Sequence, residues 1–166
     1  MVLKSKHLMV KEVMERNVFT VYPDETAFHA SVLMASHHIG SLPVIKEDGT
    51  LLGIITDRDI LTRCNAVGKD VRKTKIFECM TANPVRTVPS TSIGHATLIM
   101  GEYGIRRLPI VEHDKLVGLI SIADIAEVSD GCPNKKCPDE TCILVDMAKE
   151  LQKSSHSYQS CDSCHL

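Results

Sequence analysis

The residues best suited to chemistry lie in two short runs of one pattern. Gly53-Ile-Ile-Thr56-Asp57-Arg58-Asp59 and Gly118-Leu-Ile-Ser121-Ile-Ala-Asp124 share the form Gly-x-x-[Thr/Ser]-x-x-Asp. In each, an apolar strand runs into a helix, where unpaired backbone N–H groups and the positive end of the helix dipole favour phosphate. A hydroxyl at that turn reaches a phosphate or sugar oxygen. A carboxylate three residues later, one turn along the same side, can accept from both hydroxyls of a ribose. The chemistry implied is recognition of a nucleotide. A purely structural reading uses the same residues: Thr56 and Ser121 as helix N-caps, with Asp59 and Asp124 in the first turn, where acidic side chains are stabilising. Spacing alone leaves both readings open.

Those two runs are part of a longer duplication. Met14 aligns with Met80, Pro23 with Pro89, His29 with His95, Met34 with Met100 and Leu42-Pro43 with Leu108-Pro109, all 66 residues apart. After the following turn the offset falls to 65, aligning Gly53 with Gly118 and Asp59 with Asp124. Periodicity reads both copies as β-α-β-β-α. In the first, residues 18–21 are an expected strand and Pro23-Asp24-Glu25 opens a helix ending near Ile39-Gly40. Two apolar strands, 42–45 and 51–55, then flank the turn Glu47-Asp48-Gly49, and a last helix starts at Thr56-Asp57. The second copy repeats the order with a strand at 85–88, a helix over 91–103, strands at 108–111 and 115–120, and a helix from Ser121 or Ile122. At about 60 residues neither copy buries enough apolar area alone. Pairing the copies with pseudo-twofold symmetry would supply the core and leave two equivalent crevices, where small-molecule sites tend to form.

The tandem runs Leu42-Pro43-Val44 with Gly53-x-x-Thr56-x-x-Asp59, and Leu108-Pro109-Ile110 with Gly118-x-x-Ser121-x-x-Asp124, resemble a pair of cystathionine-β-synthase (CBS) domains over residues 8–128. The resemblance implies an α/β fold of two packed repeats, 8–68 and 74–129. It also implies a regulatory protein that binds adenine nucleotides such as AMP or ATP, or S-adenosylmethionine, without acting on them, usually as a homodimer. Under it Asp59 and Asp124 bind ribose hydroxyls, and Thr56 and Ser121 contact phosphate or sugar. The segments at Thr20 and Thr87 line the adenine pockets, with the strands from Ser41 through Pro43 and from Arg107 through Pro109 as remaining walls. Arg58, Arg106 and Arg107 are candidate phosphate partners, since a guanidinium forms two parallel bonds to phosphate oxygens, with a solvated surface charge as the alternative for each. The second copy lacks a counterpart of Arg58, so unequal affinity at the two sites is expected. His29, His95, His37 and His38 are read as surface or interface residues.

Residues 130–166 depart from that pattern. Cys132, Cys137 and Cys142 stand at regular intervals, and Cys161-x-x-Cys164-His165 follows a Ser-rich stretch. Thiolates and an imidazole at such spacings suit a tetrahedral zinc or iron site. Reduced or pairwise-oxidised thiols in a disordered tail are the alternative. A second functional reading follows, in which the tail senses metal or redox state and the CBS pair is a dimerisation scaffold.

Composition narrows the classes. Of 166 residues 24% are charged and 43% hydrophobic, and the net charge is −2. Nucleic acid is therefore not an expected partner, because phosphate-backbone binding needs a basic face. There is no run of roughly 20 apolar residues and no signal-like N-terminus, so a cytoplasmic location without membrane attachment is expected. With no nucleophile–base constellation, the expectation is not an enzyme. Any effector protein must then be acted on in trans.

Overall fold

The computed structural model of the chain describes residues 8–129, and each helix in it starts on a side-chain cap. The elements are helix α1 (Ala27–His37), strands β1 (Ser41–Ile45) and β2 (Leu51–Thr56), helix α2 (Asp57–Arg63), strand β3 (Thr81–Ala82), helix α3 (Ile93–Glu102), strands β4 (Arg107–Glu112) and β5 (Lys115–Ser121), and helix α4 (Ile122–Ser129). Thr26 Oγ1 accepts from the His29 amide at the start of α1, and Ser92 Oγ from the His95 amide at the start of α3, both at 3.2 Å. The paired histidines thus sit where their backbones close the caps. Helix α1 stops at His38, whose φ of 54° turns the chain out of the helix. None of the helices among the described residues is long and apolar enough to cross a membrane.

β1 and β2 form an antiparallel hairpin in which Ser41 faces Thr56 and Pro43 faces Ile54. β3 adds to the far edge of β2, with Gly53 opposite Ala82. β4 and β5 form a second hairpin. The strand expected at 18–21 is reduced to one parallel bridge, between Val21 and Val44. Val21 N–H donates to the Pro43 carbonyl (3.1 Å), and Ile45 N–H to the Val21 carbonyl (3.0 Å). The next rung of a parallel ladder would need an N–H on Pro43, which has none. Pro109 stands at the matching place in the second copy, and residues 85–88 likewise form no regular strand.

The chain groups into two compact units that cut across the repeats. One, among described residues, comprises 8–14, 87–108 and 120–129; the other comprises 15–86 and 109–119. The grouping arises because each copy's leading segment folds onto the other copy's helix. In the larger unit, segment 74–78 lies on α1: the Ala27 amide donates to Thr74 O and the Ile76 amide to Glu25 O, both at 2.9 Å. In the other unit, segment 8–12 lies on α3: Ile93 N–H donates to Leu8 O (2.9 Å) and Val10 N–H to Thr91 O (2.8 Å). The two segments share a local fold, since the Met9 amide donates to Glu12 and the Lys75 amide to Glu78, each at 2.9 Å. Ile76 and Val10 are fully buried in these positions, each worth roughly 1.5–3 kcal/mol of apolar transfer.

The core of the larger unit gathers Val21, Ala27, Ala30, Met34, Leu42, Val44, Ile55, Ile60, Cys64, Ile76 and Cys79. In the other unit Ile93, Ala96, Met100, Leu108, Ile120 and Ile125 are buried. These are the apolar positions of the helices and strands, with small residues where helix meets sheet.

Candidate functional site

Thr56 ends β2 and caps α2. Its hydroxyl donates to Asp59 Oδ2 at 2.7 Å, its amide donates to the same oxygen at 3.0 Å, and it accepts the Asp59 amide at 3.1 Å. The second copy reproduces this closed turn. Ser121 Oγ donates to Asp124 Oδ2 at 2.8 Å, the Ser121 amide to the same oxygen at 2.7 Å, and Asp124 N–H returns to Ser121 Oγ at 3.3 Å. Both turns are therefore helix caps, as the structural reading of the sequence holds. The cap uses only Oδ2 of each carboxylate and the single proton of each hydroxyl. What each turn still presents is a set of acceptors: a lone pair on the hydroxyl, and Oδ1.

Backbone pairing fixes what surrounds each turn. In the larger unit Ser41 is the register partner of Thr56, and the Asp57 amide donates to the Gly40 carbonyl at 3.2 Å. Thr20 precedes Val21, which is bonded to Pro43, so Thr20 lies beside the β1–β2 hairpin and α2 that carry Ser41, Pro43, Thr56 and Asp59. Ser41 is 3% exposed, and its Oγ has no hydrogen-bond partner among the described residues. Such a group costs about 1–3 kcal/mol when left unsatisfied. Arg58 is exposed on α2, and its amide is held by Asp57 Oδ1 at 2.7 Å. Pro109 also belongs to this unit, buried in β4.

The other unit holds Thr87, Arg106, Arg107, Ser121 and Asp124. The Ile122 amide donates to the Arg106 carbonyl at 3.0 Å, the counterpart of the Asp57–Gly40 bond, which sets Arg106 beside the Ser121 cap. Arg106 is exposed, while Arg107, at the position of Ser41, is half-buried. The Thr87 hydroxyl is shared with that of Thr91 at 2.6 Å.

One residue that the sequence motifs overlooked is Arg63. Its Nη2 lies 3.4 Å from Asp59 Oδ1, and its Nη1 donates to Cys79 O (3.1 Å), Met80 O (2.9 Å) and Thr81 Oγ1 (3.2 Å). The i,i+4 spacing from Asp59 was the available signal. Directly after it Cys64 packs in the core with Cys79, both as free thiols. Burial first, and then Cys64 alongside, pushes the Cys79 thiol up to about 12. These are inert core residues rather than nucleophiles.

A shallow cleft of about 410 Å³, lined by Tyr22, Pro23, Asp24, Lys46, Glu47 and Asp48, lies in the larger unit and includes none of the expected ligand residues. Among the described residues no three His, Cys, Asp or Glu side chains cluster so as to hold a metal. The tail ligands Cys132, Cys137, Cys142, Cys161, Cys164 and His165 lie outside the described residues.

CBS domain-containing protein YhcV of Bacillus subtilis is 41% identical over 117 residues, covering 70% of this chain and 82% of YhcV. The crystal structure of hypoxic response protein I with two coordinated zinc ions shares 32% identity at a TM-score of 0.68, over 72% of this chain and 98% of that one. The CBS domain pair of protein MJ0100, in complex with 5′-methylthioadenosine and S-adenosyl-L-methionine, shares 28% identity at a TM-score of 0.67, over 76% and 98% of the two chains. The CBS domain profile matches twice, at residues 10–65 and 75–131. With most of its length so matched, this chain belongs to the CBS domain family and carries two copies of the domain in tandem.

Proposed function

We propose that the protein is a regulatory sensor that binds an adenosyl compound, an adenine nucleotide or S-adenosylmethionine, through its ribose diol and performs no chemistry on it. The observation that carries this reading is the direction of the protons in the two caps. The Thr56 and Ser121 hydroxyl protons are already given to Asp59 and Asp124. Each turn offers acceptors held at fixed positions, and acceptors select a ligand that donates, as a vicinal diol does twice. A phosphate oxygen, which only accepts, is not served by these hydroxyls. Any phosphate on the ligand falls to Arg58, Arg106 or Arg107. The unpartnered Ser41 hydroxyl gains a partner on binding, and Thr20, Pro43, Thr87 and Pro109 act through shape. The MJ0100 complex supports the reading, since both of its ligands contain an adenosyl diol and neither contains phosphate.

Binding alters the state of a homodimer, and the effector is a separate protein acted on in trans, through different ligand affinity for two arrangements. The test is calorimetric titration of the reduced protein with AMP, ATP, NAD and S-adenosylmethionine, repeated on the Asp59→Ala, Asp124→Ala double variant and with 2′-deoxy-AMP. Binding lost in the variant, and weakened at least about tenfold by loss of one ligand hydroxyl, supports the diol site. Undiminished affinity for the deoxy ligand overturns it.

A second reading rests on the tail's own residues, since Cys132, Cys137, Cys142, Cys161, Cys164 and His165 suit zinc or iron. The two zinc ions of the hypoxic response protein I structure do not bear on it, since 98% of that chain is matched by 72% of this one. Stoichiometric metal in the full chain that disappears when residues 130–166 are removed, with no adenosyl ligand bound, would put the sensor there.

A further inference from the structure

Arg63 joins two parts of the larger unit that the repeat pattern treats as separate. On one side it meets Asp59 Oδ1, the carboxylate oxygen that the cap leaves over. On the other, a single nitrogen of its guanidinium is within bonding distance of three acceptors at 79–81. Those residues lead into β3, whose partners on β2 are Gly53 and Ile54, the opening of the same Gly-x-x-Thr-x-x-Asp run. Strand β2, the Thr56 cap, Asp59, Arg63, Thr81 and β3 therefore form a closed circuit. Among the described residues the second copy has the cap, and an edge pairing in the place of β3, the Glu15–Leu119 bridge, but it lacks the arginine: the residue 65 places after Arg63 is Val128.

We propose that Arg63 is a positioning residue that couples the Asp59 carboxylate to the Cys79–Thr81 segment, so that a ligand donating to Asp59 is felt at β3, the start of the second copy. The ligand half of this inference rests on the diol reading above; the link itself does not. The physical basis is unequal commitment. Arg63 is half-exposed and 3.4 Å from a carboxylate that is only 13% exposed, a contact long enough to be rearranged at small cost. Its bonds to the backbone carbonyls at 79 and 80 are shorter and fix its other edge. Ligand hydroxyls arriving at Oδ1 share the carboxylate's charge with Arg63, and the guanidinium answers by shifting toward or away from the carbonyls. By linkage, whatever displaces residues 79–81 changes the affinity of Asp59 for ligand by the same factor.

The experiment is amide hydrogen exchange on the full chain at Thr81 and Asn83, whose amides face β2 in the β2–β3 pairing and include the Asn83–Leu52 bond (3.0 Å). Four proteins are compared: the parent, Arg63→Met, Asp59→Asn, which keeps an acceptor for the cap but no charge facing Arg63, and the double variant. Without ligand, Arg63→Met is expected to exchange about tenfold faster at these amides. Asp59→Asn is expected to give a smaller rise at the same amides, and the double variant no more than Arg63→Met alone. Additive effects, or a rise in Asp59→Asn confined to α2, would overturn the link. With saturating S-adenosylmethionine, exchange at these amides changes in the parent and not in Arg63→Met. An equal change in both overturns the coupling. If S-adenosylmethionine does not bind the parent, the diol reading and the ligand half fall together, and the ligand-free comparison decides whether Arg63 links Asp59 to β3.

Discussion

The two caps are near copies in their hydrogen bonds and differ in what lies behind them. Thr56–Asp59 and Ser121–Asp124 close the same turn with the same three bonds. Behind the first stand Arg63, the 79–81 segment and a β3 strand packed tightly on Gly53. The second keeps the edge pairing only as the Glu15–Leu119 bridge, has Val128 in the place of Arg63, and has arginines beside its cap, Arg106 and Arg107, where the first has Gly40 and Ser41. Duplication has therefore preserved the local turn, which one short run of sequence can specify. The surroundings, which depend on residues from elsewhere in the chain, have diverged. One copy is built to hold its carboxylate in place, the other to present positive charge.

The largest expected effect sharpens the first half of that contrast. A Cβ at Gly53 would stand 2.6 Å from Met80 Sδ and 2.9 Å from the Thr81 carbonyl oxygen. The thioether can turn aside, but the backbone oxygen cannot without moving β3. Gly53→Val is expected to cost about 2–3 kcal/mol, read as a lower urea midpoint. An unchanged midpoint would mean that β3 yields, and the first copy would then be no more tightly held than the second.

Next in size is the difference between the two aspartates. Asp124→Ala removes a cap and is expected to cost about 1 kcal/mol. Asp59→Ala removes the same cap and also the partner of Arg63, for a total of about 1.5–2 kcal/mol once solvent screening of a half-exposed guanidinium is allowed for. Equal losses in denaturant titrations would erase the distinction between the copies.

The caps were legible in the sequence because their bonds span three residues, and so were α1 to α4 and both hairpins, whose apolar periods are local. The exchange of leading segments was not. Its bonds join Thr74 to Ala27 and Leu8 to Ile93, and a contact between residues so distant leaves no period to read. The strand expected at 18–21 had suitable residue types but pairs only at Val21, because Pro43 cannot supply the next rung. Arg63 escaped notice for a related reason: its i,i+4 relation to Asp59 is visible, while its three acceptors come from 79–81 and are not.

A smaller effect, also confined to the first copy, concerns the thiols behind Arg63. Cys79 is 1% exposed, and its thiol is pushed up to about 12 from an ordinary 9.0. A raised folded pKa means that the neutral thiol is favoured in the fold. The contribution is fully present below about pH 9, where the unfolded thiol is also neutral, and declines as pH rises from there through about 12. Unfolding midpoints should fall over that range, and less steeply in Cys79→Ala. A thiol reagent at pH 8 should leave Cys64 and Cys79 unmodified until the protein unfolds; rapid labelling would show the core around α2 to be open.

The smallest effect lies in the hairpin turns. The first is served by Gly49 at φ 85° and by the Asp48 carboxylate, which accepts the Thr50 amide at 3.0 Å. That bond holds the Asp48 carboxyl below its usual range, so its support is present above about pH 4 and lost as pH falls further. The second turn, shorter by one residue, places His113 at φ 51° and Asp114 at φ 63°. Positive φ at both central positions is the two-residue turn that matches strand twist and favours Asn-Gly. Asp114 has a reason to remain, since it meets Arg86 at 3.2 Å. Among the described residues His113 makes no such pairing, and asparagine tolerates the left-handed region better than histidine does. His113→Asn should therefore raise stability by about 0.3–0.5 kcal/mol and leave adenosyl-ligand affinity unchanged, measurable as a small rise in Tm. A fall in Tm would mean that the imidazole makes a contact worth more than the backbone strain it carries.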